Sequence, residues 1–473
     1  MWRKLLTALL ACVICPAISY AVDADDAASK LGLIPLLWPS TDPDAVEQRQ
    51  RVYEDSQAAG VRIYRIDLRW SIIEPELGVF DFSRYDALID EVIDAGFEVV
   101  GVLCYGNPNY APEDAPPGDE HYPPSDPSAF ARYVYETVSH FKDRIKLWEV
   151  WNEPNAGYRF WKPGPDAAAY GELLKAAYVA AKEADADCKV SYGGLFYSDL
   201  FNMFNVPGAV RFLEESFAAH PDLGLYFDAF SFHPYPYPFV APETELPWQE
   251  NYVNSTRRLR AVLEKLGARD KELWVTEHGW PTNYMTWGVE PIEQARYLVR
   301  GTVLLLSEGV DMVFWFTYKD RDEWIWWQEA AFGLLYEDGT YKPAFFAHKT
   351  LAEMLDGCKY ELNLKELFPA AREYNGFAFS CPDRWVVVGW SSREGECFNW
   401  KLETEAGRSA RLFDWQGKQT AEFTTQDETV LTVCPDPAYL VFDGSDSPFA
   451  EREDAHGDSD EEAEEEQGCG CAL

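Results

Sequence analysis

Leu147-Trp148-Glu149-Val150-Trp151-Asn152-Glu153-Pro154-Asn155 is the stretch on which the reading turns. An apolar run ends here in an amide, a carboxylate and a proline. In a closed interior that ending is unfavourable, because an unpaired buried carboxylate is strongly destabilising. A glutamate before proline could simply cap a following helix. It could equally mark a strand that opens onto a cavity, and the flanking sequence has to decide.

Working outward, short apolar runs alternate with longer stretches whose apolar residues recur every three or four positions, the helical period. The runs read as strands at Leu33–Trp38, Val61–Trp70, Phe97–Gly106, Ile145–Glu153, Lys189–Phe196, Phe227–Tyr235, Glu272–Trp280 and Asp311–Lys319. Helical patterns between and after them include Ser83–Ala95, Ala167–Ala184, Thr256–Leu266, Glu293–Leu306 and Pro343–Leu355. Strand then helix, eight times, predicts an α/β fold, a (β/α)8 TIM barrel over residues 31–357. From 358 to about 446 the rhythm changes to strands punctuated by turn residues, which predicts a small antiparallel β-sandwich. That unit reads first as a packing partner for the barrel, with sugar binding as the alternative.

Catalytic groups of such barrels sit where strands end at the carboxyl face. Glu153 therefore closes strand four at the mouth. Strand seven, Leu273-Trp274-Val275-Thr276-Glu277-His278-Gly279-Trp280-Pro281, also ends near a carboxylate, Glu277. Strands four and seven face one another across the barrel. Two carboxylates converging in one cleft are the equipment for glycosidic bond cleavage.

On these paired motifs the chain resembles glycoside hydrolase clan A, retaining β-glycosidases whose barrels carry Asn-Glu-Pro on strand four and a second Glu on strand seven. Trp151-Asn152-Glu153-Pro154-Asn155 and the added sandwich are most similar to family 39, with family 5 next. Thr276-Glu277-His278-Gly279-Trp280-Pro281 departs from the usual family 39 wording and is similar to plant-type β-1,3-glucanases. The resemblance implies that Glu153 is the acid/base and Glu277 the nucleophile. It implies substrate-binding roles for Asn152 at the sugar 2-hydroxyl, Arg65 beside the nucleophile, and the pair His233 and Tyr235, with Tyr235 hydrogen-bonding Glu277. Trp315 is implied as the floor of the sugar site. On this reading Arg65 and the Tyr235 phenol lower the Glu277 pKa, while burial among Trp148 and Trp151 raises that of Glu153. Glu149 reads as structural and Arg69 as a rim residue.

Rings crowd the expected mouth: Tyr158, Phe160 and Trp161, then Tyr235, Tyr237 and Phe239, then Tyr284 and Trp287, then Trp324, Trp326 and Trp327. Aromatic faces stack on pyranose rings, so the expected partner is a β-linked oligosaccharide or polysaccharide such as a β-glucan or β-xylan. A transglycosylase would use the same covalent intermediate. A barrel that binds glycan without cutting it would be marked by loss of a glutamate, and both are present.

The 473 residues carry 41 Lys plus Arg against 80 Asp plus Glu, a net charge of −39. That field disfavours nucleic acid as a partner. No metal-ligand cluster or phosphate-cradling Gly loop follows a strand, so neither metal nor other cofactor is expected. Residues 1–21 have the charged start, apolar run and Ser19-Tyr20-Ala21 ending of a secretory signal, which predicts a secreted or periplasmic protein; lipid attachment at Cys12 is the rival. No later run is long enough for a transmembrane segment. One or two disulfides are expected among Cys358, Cys381, Cys397 and Cys434. Residues 447–473, dominated by acids and ending in a segment with Cys469 and Cys471, read as a disordered tail.

Overall fold

The computed structural model describes residues 26–157, 159–198, 207–283, 287–321, 328–367 and 374–449. The expected signal with Cys12, nearly all of the acidic tail with Cys469 and Cys471, and the rings Tyr158, Tyr284, Trp324, Trp326 and Trp327 lie outside the described residues.

Eight parallel strands close into a barrel in chain order: β1 Leu31–Ile34, β2 Ile63–Arg69, β3 Glu98–Cys104, β4 Leu147–Asn152, β5 Lys189–Phe196, β6 Ala229–His233, β7 Glu272–His278 and β8 Met312–Phe316. Their helices begin where the sequence supplies starting signals. Asp42, Asp126 and Asp166 each accept a backbone N–H of the first turn, and Pro43 and Pro127 follow at positions whose own N–H is not needed. The interior of the barrel is plugged by Ile34, Ile63, Val100, Ala229, Trp274, Met312 and Phe314. That plug makes the barrel a packed core with one open end.

The first strand ends earlier than the sequence reading placed it. Pro35 lacks an N–H for the ladder, and Leu36 takes a left-handed φ of 53°, so the chain turns off after Ile34. Leu36, Leu37 and Trp38 become part of the cavity rim instead of a strand.

Beyond the helix Pro343–Leu355, the chain forms a six-stranded antiparallel sheet and a two-stranded one. The sequence marks strands at Gly376–Cys381, Trp385–Trp390, Cys397–Leu402, Ala410–Trp415 and Val430–Val433, and the structure adds Lys359–Asn363, Gln419–Thr424 and Ala438–Asp443. Disulfides join Cys358 to Cys381 and Cys397 to Cys434. Phe377, Phe379, Val386, Val388, Trp390, Tyr439 and Val441 of this unit share one apolar core with the barrel. Buried Arg300, on the barrel helix Pro291–Ser307, bonds Glu243 at 2.8 Å and Glu394 of the sandwich at 3.0 Å. These contacts make the sandwich a packing partner of the barrel. Among the described residues, no helix is long and apolar enough to cross a membrane.

Candidate active site

A cavity of about 960 Å³ opens at the carboxyl ends of the strands. Asn152 and Glu153 both line it, although they are adjacent in the chain. Strict strand alternation would point them to opposite faces. The conflict is resolved at Trp151, whose φ is +70°, and at Glu153, whose φ is +44°. Left-handed backbone is rare for residues other than glycine and costs on the order of 1–3 kcal/mol. Here it turns Trp151 out against Trp161 and Tyr105 and lets both Asn152 and Glu153 reach inward. Gly194 on β5 is needed beside them, because a Cβ there would lie 2.1 Å from Nε2 of His233.

Glu277 faces Glu153 across the cavity floor. One carboxylate oxygen of each and a ring nitrogen of His233 all lie within 4.8 Å of one another. Arg65 ties the floor together. Its Nη1 donates to Glu277 Oε1 at 3.0 Å, and its Nη2 donates to Asn152 Oδ1 at 2.8 Å and to Glu149 Oε1 at 2.5 Å. Glu149 is fully buried below. Because Asn152 spends its oxygen on Arg65, its NH2 is the group it can offer a hydroxyl. The Tyr235 hydroxyl donates to Glu277 Oε2 at 2.9 Å.

His233 is placed differently from the substrate contact expected of it. Its ring is fully buried, with Nδ1 2.8 Å from Glu153 Oε1 and Nε2 3.0 Å from Thr276 Oγ1. It braces the carboxylate from behind. With both ring nitrogens so engaged, it has no lone pair free for a metal.

Trp315 requires a correction. It points outward, stacks near Trp280 and donates its indole N–H to the Phe332 carbonyl at 3.1 Å. It does not line the cavity; Phe316, the next residue, does. The reason is strand period: Met312, Phe314 and Phe316 face in, so Val313 and Trp315 face out. Trp148 and Trp151 likewise belong to the outer core and do not wall Glu153.

Burial pushes the Glu153 carboxyl up to about 8, with Arg159 pulling it down and Glu329 pushing it up. Burial also raises Glu277, contrary to the lowering expected from sequence, because desolvation outweighs the pull of Arg65 and the Tyr235 hydrogen bond. The difference between the two survives. Glu277 holds a guanidinium and a phenol, whereas Glu153 rests on a neutral imidazole, since burial lowers His233 to about 4. Of the two, Glu153 is the carboxyl whose surroundings favour the protonated form more.

The barrel can now be set beside known proteins. Residues 60–199 match the family described as Glycosyl hydrolase family 10. A beta-1,4-xylanase of Dictyoglomus thermophilum is 29% identical over 139 residues, 28% of this chain and 36% of that protein. A beta-xylosidase of Caldicellulosiruptor saccharolyticus is 23% identical over 320 residues, 62% of this chain and 60% of that protein. The chain thus spans less than two thirds of the length of either. A solved family 39 glycoside hydrolase from Bacteroides cellulosilyticus WH2 superposes with a TM-score of 0.69 at 22% identity, covering 89% of this chain and 82% of that one. The fold is that of clan A glycoside hydrolases.

Several residues lining the cavity of this barrel went unmarked in the sequence. Tyr105 follows β3 directly, Phe196 ends β5 and Phe316 ends β8, and all three line the cavity. The rule that found Glu153, attention to strand carboxyl ends, would have found them too. Phe332 and Glu120 come from loops and Glu329 from the short 3-10 helix Gln328–Ala331, and none carries such a signal. Of the expected rings, Phe160, Tyr235, Tyr237, Phe239 and Trp287 line the cavity, whereas Trp161 is packed beneath Trp151. Trp38 and Trp287, 53% and 65% exposed, stand on its rim. Arg69 is a rim residue paired with Glu120, and Arg159 pairs with Glu329 at 2.7 Å.

Proposed function

We propose that this chain is a secreted retaining β-glycosidase acting on a β-linked oligosaccharide or polysaccharide. The observation that carries the reading is the closeness of the Glu153 and Glu277 carboxylates, whose nearest oxygens lie within 4.8 Å. Retaining enzymes hold their carboxyl groups about 5–5.5 Å apart, whereas inverting ones leave about 6.5–9.5 Å for a water.

In the first step Glu153, protonated, gives its proton to the glycosidic oxygen as the bond to the anomeric carbon breaks. Glu277 attacks that carbon and becomes a glycosyl ester. Its negative charge is then gone, which lowers the Glu153 pKa and makes Glu153 a base. In the second step water gives a proton to Glu153 and attacks the anomeric carbon, and Glu277 leaves as a carboxylate. Arg65 and Tyr235 hold Glu277 in line throughout, and His233 holds Glu153. Asn152 offers its NH2 to the 2-hydroxyl, a contact that strengthens as the oxocarbenium-like transition state forms.

The similarity to a beta-1,4-xylanase and a beta-xylosidase supports β-xylose polymers and oligomers as the substrates to try first. The rings that line the cavity and its rim, Trp38, Phe160, Tyr237 and Trp287, suit a substrate of several sugars. A transglycosylase differs only in taking a sugar hydroxyl in place of water. The test is a panel of purified β-glycans and their oligosaccharides with products sized by mass spectrometry. Shortened β-linked products are expected, products longer than the substrate indicate transfer, and no product from any β-linked glycan contradicts the reading.

A further inference from the structure

Among the described residues, three carboxylates that the mechanism does not use line the cavity, Asp67, Glu120 and Glu329, and of these Asp67 stands apart. Asp67 lies on β2 between Arg65 and Arg69, two residues from each, so all three side chains face the same way. Asp67 is exposed, but it lies deep in the barrel mouth and what it is exposed to is the cavity.

Among the described residues, every other acid lining this cavity is engaged by a basic side chain. Glu277 has Arg65, Glu120 has Arg69, Glu329 has Arg159, and Glu153 has His233. The simple expectation is that Asp67 pairs with one of the arginines flanking it. It does not: Arg65 turns to Glu149, Asn152 and Glu277, and Arg69 turns to Glu120. Among the described residues Asp67 forms no ion pair, and its polar neighbour is the Cys104 thiol, a weak donor. Burial pushes its carboxyl up, and the fields of Arg65 and Arg69 pull it back. A carboxylate that faces the cavity with only a weak donor from the protein keeps its acceptor sites for the hydroxyls a ligand brings.

Resting on the glycosidase reading above, we propose that Asp67 is a specificity-determining residue that accepts hydrogen bonds from adjacent hydroxyls of the sugar bound over Glu277. Its two oxygens form a planar acceptor pair that suits neighbouring equatorial hydroxyls of a pyranose. The position follows from the strand: Asp67 is the next inward-facing residue above Arg65, whose Nη1 bonds Glu277. The 2-hydroxyl is assigned to Asn152, so the hydroxyls left for Asp67 are those at positions 3 and 4. The chemical class selected is a neutral sugar, because a carboxylate acceptor repels a uronate placed against it and offers nothing to a sugar deoxygenated there.

The experiment is a set of cycles between enzyme and substrate. Aryl β-xylosides, β-glucosides and the corresponding biosides are screened first. The 2-, 3- and 4-deoxy forms of whichever is turned over are then compared on wild type, Asp67→Ala and Asp67→Asn, all shown to be folded by circular dichroism. Asp67→Ala should lower kcat/KM on the complete sugar by about 10- to 100-fold, the range for a hydrogen bond to a charged group. Wild type should lose a similar factor with the 3- or 4-deoxy sugar, and Asp67→Ala should lose little more. The 2-deoxy sugar should be penalised equally in both proteins. Asp67→Asn, which keeps the shape and one acceptor, should fall between and stands in if the alanine variant does not fold. Losses that simply multiply at positions 3 and 4 overturn the role of Asp67 and leave the glycosidase intact. A wild-type protein inert toward every aryl β-glycoside overturns the glycosidase reading and this inference with it.

Discussion

His233 Nδ1 lies 2.8 Å from Glu153 Oε1, and the imidazole that makes this contact is closed off from the cavity by the carboxylate itself. A neutral ring held from its other side by Thr276 fixes where the acid points without stabilising its anion as a cation would. His233→Ala should therefore lower kcat about 10- to 100-fold, in the range for losing a bond that orients a reacting group. KM should move little. His233→Asn, which retains a donor at a similar reach, should recover part of the rate. Equal losses in kcat with both variants, or a loss confined to KM, would contradict the bracing role.

The charge state of Glu153 sets the alkaline side of the pH profile. With its carboxyl raised to about 8, the acid is protonated below that pH, and kcat/KM should fall as pH rises through it. The same shift links to stability. The folded protein holds a proton that the unfolded chain, with an ordinary carboxyl near 4.5, releases. Its contribution is complete below about 4.5 and is lost progressively as pH rises toward 8. Glu153→Gln should remove this slope, so its Tm relative to wild type should be higher at pH 8.5 than at pH 5. A difference in Tm independent of pH would show that the carboxyl is not raised.

Arg65 neutralises two carboxylates at once, Glu149 beneath it and Glu277 beside it. Arg65→Met should cost about 3–5 kcal/mol, the range for removing one partner of a buried pair, and should abolish activity. Adding Glu149→Gln should restore part of the stability and none of the activity, because Glu277 still lacks its partner. Chemical denaturation separates these outcomes. Full recovery of activity in the double variant would contradict the assignment of Arg65 to Glu277.

Neighbouring residues on β8 give a test of facing. Trp315→Ala removes a buried outer-core ring and should cost about 3–5 kcal/mol of stability. Phe316→Ala removes a cavity wall and should lower kcat/KM on the order of tenfold, with a smaller loss of stability. The reverse pattern would restore Trp315 to the sugar site.

That pair also shows where the sequence stops being informative. The barrel was legible because strand and helix periods differ and repeat, and Glu153 and Glu277 were legible because they sit at strand ends within long, specific motifs. Which of Trp315 and Phe316 faces inward depends on a one-residue register, and a family motif transferred by position does not carry that register. The partners of Arg65 were hidden for another reason: Glu149 and Glu277 come from strands far away in the chain, whereas Asp67 is near in sequence and forms no ion pair among the described residues. The direction of the Glu277 shift was misread because partners can be guessed from motifs, but the depth of burial that opposes them cannot.

In the proposed mechanism Glu153 and Glu277 divide the acid/base and nucleophile roles between them, and azide rescue reads that division from the configuration of the product. On an activated aryl β-glycoside, Glu153→Ala should form the glycosyl-enzyme, release it slowly, and be accelerated by azide to give the β-glycosyl azide, two inversions leaving configuration retained. Glu277→Ala has no nucleophile, so azide must attack the substrate itself and the product should be the α-glycosyl azide. The product configurations, read by NMR, decide the matter: β from Glu153→Ala and α from Glu277→Ala agree with the account, and the exchange of the two, or full activity in either variant, contradicts it.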